Sequence, residues 1–364
     1  YFLIISYEQA RIDYLLIKTI TVFQTIIIDE AHRVGNVRTK TRKAIKKICE
    51  GSEHRYLLTA TPLMNRIPDL YGILDLIQSG CAGNYFSFLQ RYTVRNKWGG
   101  VLFTINQDEL AHKLKRYMIR KSLEEVALEM PKMTIEDIPF DLSEKERTLY
   151  DKLKKELLFE VEQYLIEKIE RPMMIQMTLT KMLVLTQLTC SLALLGEDQT
   201  SSKLEILKER LEDILLNGEK VIIFSRFEKM TSILAQELKQ YNPLLITGKV
   251  TGEDRNVAVQ KFQKDADYKL LISTDAGGEG LNLDAGSIIF HYDLPWSHGK
   301  YVQRNGRIKR LTQNKPMVVY NLVARKSMDV YMSKVLHAKG QLSNQVLGDT
   351  PVSMDDIKQM LSYV

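Results

Sequence analysis

Three cysteines in 364 residues, Cys49, Cys81 and Cys190, are odd in number and widely spaced, and no C-x-x-C pair occurs. Neither a disulfide framework nor a zinc site is indicated, and a reducing compartment is expected. Aromatic residues make up only 8% of the chain and prolines number nine, yet 45% is hydrophobic and 26% charged. That balance belongs to a globular chain and excludes a mainly disordered or collagen-like one. No apolar run approaches the ~20 residues of a bilayer-spanning helix; the most hydrophobic windows are broken by Lys18 or closed by Asp29 and Glu30. An integral membrane protein is therefore not expected. Acids are in deficit, 45 against 51 Lys plus Arg, and the net charge of +6 suggests a polyanionic partner without identifying one. The length predicts two core-forming units with room for an insertion. No initiator Met precedes Tyr1, which opens inside the apolar run YFLIISY; this reads like the middle of a structural element, and a fragment is expected.

Short β-branched runs alternate with helical patterns in two places. TIIID (25–29) and RYLLTA (55–60) bracket one helix-like stretch. Further on, KVIIFS, PLLIT, KLLIST, SIIFHYD and MVVYNLV recur with amphipathic segments between most of them, the rhythm of a parallel sheet covered on both faces. Between these regions Leu, Lys, Glu and Met dominate and strand-like runs are scarce, which predicts a mostly helical stretch. Ser143 and Glu146 form a capping-box pattern, after which Leu149, Leu153, Leu157, Val161 and Leu165 repeat every four residues, as in a packed amphipathic helix. The polar, turn-rich GEDQTSS (196–202) reads as a linker.

Four segments carry chemistry. TIIIDEAH (25–32) is a buried-strand pattern ending in two acids, which it projects from the edge where open α/β sheets place ligands. Asp29 suits a hydrated Mg²⁺, and Glu30 suits the orientation and deprotonation of a water that attacks a γ-phosphate. LLTATPLMN (57–65) sets Thr59 and Thr61 on a tight turn before Pro62, where hydroxyls can sense a phosphate. STDAGGEGLNL (273–283) has glycines that let backbone approach a ligand and turn N–H groups toward an anion. In QRNGRIKRLTQ (303–313), Arg307 and Arg310 share a face if the segment is helical, presenting two forks to one polyphosphate. Each segment also has a plain structural reading: a loop after a strand, a Thr-rich turn, a tight strand-to-helix turn and a solvated basic face.

Together, in this order and split across two α/β units, they resemble helicase superfamily two and, within it, the Swi/Snf-type ATPases, over nearly the whole chain. IISYEQ (4–9) is similar to the segment before the family's acidic strand, LTATPLMN to its third motif, VIIFSRF (221–227) to its fourth, STDAGGEGLNL to its fifth and QRNGRIKRLTQ to its sixth. RYMIRKSLEEVALEMPKMT, followed by DLSEKERTLYDKL, resembles the helical protrusion particular to Swi/Snf proteins, and SSKLEILKERLEDILLNGEKVIIFS the start of their second lobe. The resemblance implies an α/β fold of two RecA-like parallel-sheet lobes, the first incomplete, with a helical insertion between them. Lobe 1 would cover 1–77, the protrusion and linker 78–202, lobe 2 203–340 and a helical tail 341–364.

The implied activity is ATP-dependent movement on double-stranded DNA or displacement of a protein bound to it, with ATP and Mg²⁺ as cofactors. The setting would be the cytoplasm of a bacterial or virus-infected cell, with nucleoid association. By the same resemblance Asp29 would coordinate Mg²⁺ through water and Glu30 would activate the nucleophile. His32, Thr59 and Thr61 would couple nucleotide state to DNA. Gly278, Gly280 and Gln303 would border the nucleotide, with Arg307 and Arg310 as arginine fingers. Ser6, Ser225, Thr247, Arg255, Ser273 and Thr274 would hold DNA phosphates, giving affinity without reading sequence.

Some positions depart from the family. Ala60 replaces Gly, Met64 replaces Gln, and Lys309 and Thr312 stand for His and Gly; Asp275 and Glu279 replace the Arg and Leu of eukaryotic remodellers and point to the bacterial or viral branch. A larger departure is the lack of any G-x-x-x-x-G-K-[ST] loop, whose amides and Lys cradle phosphates. In the family that loop lies upstream of the segment resembled by IISYEQ. A truncated, non-hydrolysing DNA-binding module and a strand-separating or RNA-directed helicase remain as alternatives. Two basic clusters stand apart from the motifs: Arg33, Arg38, Lys40, Arg42, Lys43, Lys46 and Lys47, with no acid among them, and Lys113, Lys115, Arg116, Arg120 and Lys121, followed by Glu124 and Glu125. Each is either a solvated face or a phosphate contact, with Ile45 and Ile48 anchoring the first to the sheet. His291, His298 and Trp296 are expected to pack or hydrogen-bond, since the histidines lack a metal-ligand spacing.

Overall fold

A computed structural model describes residues 2–59, 67–95, 101–119, 121, 130–166, 172–197, 201–278, 280–341, 358 and 360–361. These fall into two compact units, one of the described residues up to Lys121 and the other of those from Met130 onward.

The first unit runs α1 (Tyr7–Ile20), β1 (Thr25–Ile28), a single 3₁₀ turn (Ala31–Val34), α2 (Lys40–Ile48), β2 (His54–Leu57), α3 (Ile67–Ile77), α4 (Tyr85–Tyr92), β3 (Thr93–Arg95), β4 (Val101–Thr104) and α5 (Gln107–Leu114). YFLIISY was expected to lie inside an element; instead residues 2–6 carry no regular structure, and Ser6 caps α1 by accepting the Gln9 amide. Strands β1 and β2 pair in parallel, Ile26 opposite Arg55 and Ile28 opposite Leu57. Ala10, Ile28, Ala31, Val34, Ile45, Cys49 and Leu76 form the core under them. A second core joins α3, α4 and α5 through Leu70, Leu74, Phe88, Tyr92 and Leu110. The predicted helical segment 78–202 is thus divided, its first part packing within this unit and interrupted by the antiparallel hairpin β3–β4.

Parallel strands are stable mainly where both faces are covered. The β1–β2 pair is covered on one: Ile28 is 5% exposed, whereas Ile27 is 64% and Tyr56 55% exposed. In this chain on its own, the β1–β2 amides are therefore expected to exchange with solvent at least about a hundredfold faster than those of the central strands of the second unit, as hydrogen exchange read by mass spectrometry would show. Equal protection would mean that the exposed apolar face carries no cost.

The second unit contains β5 (Met133–Phe140), α6 (Glu144–Ile166), α7 (Pro172–Cys190), α8 (Ser202–Leu216), β6 (Val221–Phe224), α9 (Glu228–Glu237), β7 (Leu244–Ile246), α10 (Gly252–Lys264), β8 (Leu270–Ser273), α11 (Asp275–Gly278), β9 (Ile288–His291), α12 (His298–Asn305), β10 (Met317–Ala324) and α13 (Met328–Gln341). Six strands lie in the order β5-β10-β9-β6-β8-β7, all parallel. Every residue of β6, β8 and β9 is buried, so these strands read as unbroken apolar runs.

Strand β5 lies in the stretch expected to be helical. Most of its side chains are exposed, and it carries Glu136, Asp137 and Pro139. These are edge-strand residues, and they hide the strand from an apolar pattern search. The capping box at the start of α6 is formed: the Ser143 amide donates to Glu146 Oε2 at 2.9 Å and the Glu146 amide to Ser143 Oγ at 3.3 Å. Leu157 and Val161 of the predicted stripe are fully buried. Of the helical tail expected at 341–364, only Gln341, Lys358, Met360 and Leu361 are among the described residues. No described helix is long and apolar enough to cross a membrane.

Candidate functional site

In the first unit the parallel ladder continues past β1, with the Leu58 amide donating to Ile28 O at 2.8 Å and the Ala31 amide to Leu58 O at 2.9 Å. This carries Asp29 and Glu30 to the C-terminal edge of the strand, where the sequence placed them. Asp29 is exposed, and its Oδ1 accepts the Glu30 amide at 2.9 Å. Glu30 has φ 48° and ψ 47°, a left-handed conformation uncommon outside glycine, asparagine and aspartate. Its Oε2 is buried without a hydrogen-bond partner among the described residues and faces His32 Nδ1 at 3.2 Å. His32 Nδ1 also lies 3.4 Å from Thr59 Oγ1. Glu30, His32 and Thr59 are thus brought together from sequence positions up to 29 apart. Thr61, and with it Ala60 and Met64, lie outside the described residues.

The basic stretch that follows is partly structural. Arg42 is 2% exposed and donates to Asp75 Oδ2 at 2.9 Å and to Gly72 O at 3.0 Å, while Lys46 reaches the same Asp75 oxygen at 2.7 Å. Arg33 pairs with Glu8, and Lys47 lies over the Tyr14 ring. Only Arg38, Lys40 and Lys43 of the seven remain simply as solvent-facing cations. Of the second cluster, Arg120 is outside the described residues, as are the following Glu124 and Glu125.

In the second unit the glycine turn follows β8. A Cβ on Gly277 would sit 2.3 Å from Ile246 O, and Gly280 has φ 78°, so both positions require glycine for packing and backbone reasons. The amides of Gly277 and Gly278 donate to Thr274 Oγ1 and Thr274 O at 3.1 and 2.9 Å. They are occupied within the turn, contrary to the expectation that they point at an anion. Glu279 lies outside the described residues.

Helix α12 ends at Asn305, so Arg307 and Arg310 lie in the turn beyond it and do not share a helix face as expected. Gly306, the cap, breaks the run. Arg307 is 7% exposed and its Nη1 donates to Leu281 O at 3.2 Å; Arg310 keeps a buried Nε without a partner among the described residues. Gln303 is half-buried on α12.

A buried ion pair near this turn involves a residue outside the expected set, Arg304. Arg304, 2% exposed, binds Asp275 through Nε at 2.6 Å and Nη2 at 3.0 Å, and its Nη1 donates to Asp293 O at 2.8 Å. Burial works to raise the Asp275 carboxyl, but the Arg304 charge outweighs it and holds Asp275 below the usual carboxylate range. His291 Nδ1 lies 3.2 Å from Arg304 Nη1 and must accept there, since guanidinium only donates; its Nε2 then donates to Asn305 Oδ1 at 2.9 Å. Burial, with Arg304 beside it, pulls His291 down to about 3 and keeps it neutral. Trp296 packs partly buried on the sheet core, with the Arg226 guanidinium 5.6 Å above its ring.

The side chains expected to hold DNA phosphates separate into two groups. Ser225 and Ser273 are fully buried: Ser225 Oγ donates to Asp293, and Ser273 Oγ to Thr274 O. Thr247 and Thr274 are 5% and 6% exposed, and their hydroxyls accept the Lys249 and Gly277 amides. The structure gives these four hydroxyls internal partners rather than a solvent-facing surface, because each closes the turn after its strand. Ser6 is exposed at the α1 cap, and Arg255 is half-buried on α10 with an unpartnered Nε among the described residues.

Residues 2–193 match the SNF2-related domain family, and residues 202–312 the helicase conserved C-terminal domain. The chain is 28% identical over 363 residues to the uncharacterized ATP-dependent helicase YqhH of Bacillus subtilis, covering 92% of this chain and 61% of that protein. It is 27% identical over 373 residues to the putative ATP-dependent helicase/translocase YwqA of the same organism, covering 98% and 39%. With the CHD3-type chromatin-remodeling factor PICKLE of Arabidopsis thaliana it shares 24% identity, covering 99% and 26%. The chain therefore spans between about a quarter and three fifths of the length of these relatives. The Sulfolobus solfataricus SWI2/SNF2 ATPase core in complex with dsDNA is similar in fold, with a TM-score of 0.52 and 22% identity over 98% of this chain and 74% of that one.

Proposed function

Because the chain belongs to the SNF2-related family of ATP-dependent helicases, we propose that it is part of an ATP-driven motor that moves along double-stranded DNA. The observation that carries this reading is the Glu30 carboxylate at the end of a parallel strand, held 3.2 Å from His32 Nδ1, which in turn lies 3.4 Å from Thr59 Oγ1.

The residues present fit nucleotide and Mg²⁺. Within the first unit Asp29 offers an exposed hard-oxygen donor next to Glu30. Mg²⁺ at Asp29 would neutralise phosphate charge. Glu30 would then orient a water and take its proton, and His32 would report the state of Glu30 to Thr59. Arg307 and Arg310 would bind phosphate oxygens, Arg307 after releasing Leu281 O. We propose that the protein works on DNA, moving along it or displacing bound protein, in a cytoplasmic or nucleoid setting.

Duplex DNA is favoured as the track because the fold neighbour was solved with dsDNA and because chromatin-remodelling factors are among the relatives. This chain contains no G-x-x-x-x-G-K-[ST], so on its own it is proposed to hydrolyse ATP negligibly. In a protein that joins it to such a loop, ATP turnover is expected to rise at least about tenfold with duplex DNA and much less with single strands or RNA. A side-by-side ATPase assay tests this. Equal or greater stimulation by RNA would replace the duplex reading with an RNA-directed one.

A further inference from the structure

We propose that Tyr7 is a positioning residue for the Asp29–Glu30 carboxylate pair, fixing through its hydroxyl the peptide plane that joins them. The inference rests on the reading of Glu30 as the water-activating group.

Tyr7 is the first residue of α1, and its hydroxyl donates to the Asp29 carbonyl at 2.5 Å across 22 residues of sequence. That carbonyl belongs to the same peptide unit as the Glu30 amide, which donates to Asp29 Oδ1. Both polar ends of one peptide plane are therefore held, one by Tyr7 and one by the Asp29 side chain. The plane sets φ of Glu30, the residue in the left-handed region. For a non-glycine residue this conformation is strained and persists only where its surroundings over-determine it. A flip of the peptide would relieve the strain, but it would turn the Asp29 carbonyl away from Tyr7 and the Glu30 amide away from Asp29 Oδ1, releasing the carboxylate that this amide holds. The Tyr7 hydroxyl opposes that flip by holding the carbonyl.

The contact is itself braced. The Arg33 guanidinium lies 5.1 Å from the centre of the Tyr7 ring and reaches Glu8 Oε1 at 3.3 Å, tying the turn that carries His32 to the first turn of α1. A tyrosine hydroxyl carries its proton at neutral pH and can donate it. The ring packs against the core below β1, and that packing belongs to the ring alone. Ring and hydroxyl can therefore be tested separately.

The test uses the protein in which this chain is joined to a phosphate-cradling loop, comparing wild type, Tyr7→Phe and Glu30→Gln. Tyr7→Phe keeps the ring and its stacking on Arg33. Its kcat for ATP is expected to fall about tenfold with KM within about twofold, the loss typical of a misoriented catalytic group. Its melting temperature is expected to stay near that of wild type, and Mn²⁺ affinity in the presence of a non-hydrolysable ATP analogue, read by electron paramagnetic resonance, to weaken severalfold. Normal kcat and Mn²⁺ affinity in Tyr7→Phe, with Glu30→Gln inactive, would overturn the positioning role alone. Normal turnover in Glu30→Gln would overturn the reading of the site and this inference with it. A Tyr7→Phe protein that loses melting temperature and active fraction together would show the hydroxyl to be structural and would also overturn it.

Discussion

Glu30→Gln, in a protein that supplies the phosphate-cradling loop, is expected to slow ATP turnover by about two to four orders of magnitude, the range over which a positioned general base acts. Duplex DNA affinity should stay within about threefold. Glutamine keeps the length of the side chain and can still approach His32 Nδ1, now 3.2 Å from Glu30 Oε2, but it cannot accept a proton from water. The backbone at position 30 gains nothing from the change, since glutamine meets the same left-handed φ of 48°. Any loss is then chemical rather than conformational. Arg307→Ala gives a complementary test, because Arg307 now donates to Leu281 O and its own carbonyl accepts the Leu283 amide. If the side chain only braces this turn, Arg307→Ala will lower stability and spare turnover. As an arginine finger it would cost on the order of a thousandfold in kcat, and Arg307→Lys, which keeps the charge but loses the fork, would recover only part of that. Turnover near wild type in both Glu30→Gln and Arg307→Ala would mean that neither residue acts on ATP.

The second unit was legible where burial is complete. VIIF, LLIS and IIFH are buried at every position, and such strands announce themselves by composition alone. Strand β5 was not, since its exposed edge positions accept Glu136, Asp137 and Pro139. At the site, the acids at the end of β1 could be placed from the strand pattern and the family resemblance. The left-handed turn at Glu30 and the Tyr7 hydroxyl on the Asp29 carbonyl could not, because they depend on a contact across 22 residues. The basic clusters show the opposite failure. Arg42 reads as one more surface cation among seven, yet it is buried against Asp75 and Gly72, partners some 30 residues away. Likewise Asp275, a departure from the eukaryotic pattern, has its counter-charge in Arg304, 29 residues away. Sequence shows which residues carry charge; which charges are neutralised internally depends on the fold.

Lys203→Met is expected to destabilise the second unit by about 3–5 kcal/mol, the cost of stranding one member of a buried ion pair. Lys203 is fully buried, and its Nζ donates to Asp329 Oδ2 at 2.7 Å. Its place on α8 follows from register, since Lys203, Leu207, Leu211 and Leu215 recur every four residues along the buried stripe. The same carboxylate accepts the Ala324 amide at 3.2 Å and Thr189 Oγ1 at 3.3 Å, so one group joins α7, α8 and the end of β10. Burial alone would lower the Lys203 pKa, but the neighbouring Asp329 charge raises it above the ordinary lysine value. A folded-state pKa above the unfolded one contributes stability that is complete below the unfolded value, near 10.5, and is lost as pH rises through the folded value. The wild-type unit should therefore weaken in that alkaline window, and Lys203→Met should lack this loss. Because the chain has two units, the second is read separately, by exchange of the β10 and α13 amides under increasing urea. Asp329→Asn should be comparably damaging, since it leaves the ammonium without its counter-charge. The double variant Lys203→Met/Asp329→Leu removes both charges and should recover much of the loss, as paired burial predicts. Additive losses in the double variant would show that the two side chains act independently, and the ion pair could then not be what joins these three elements.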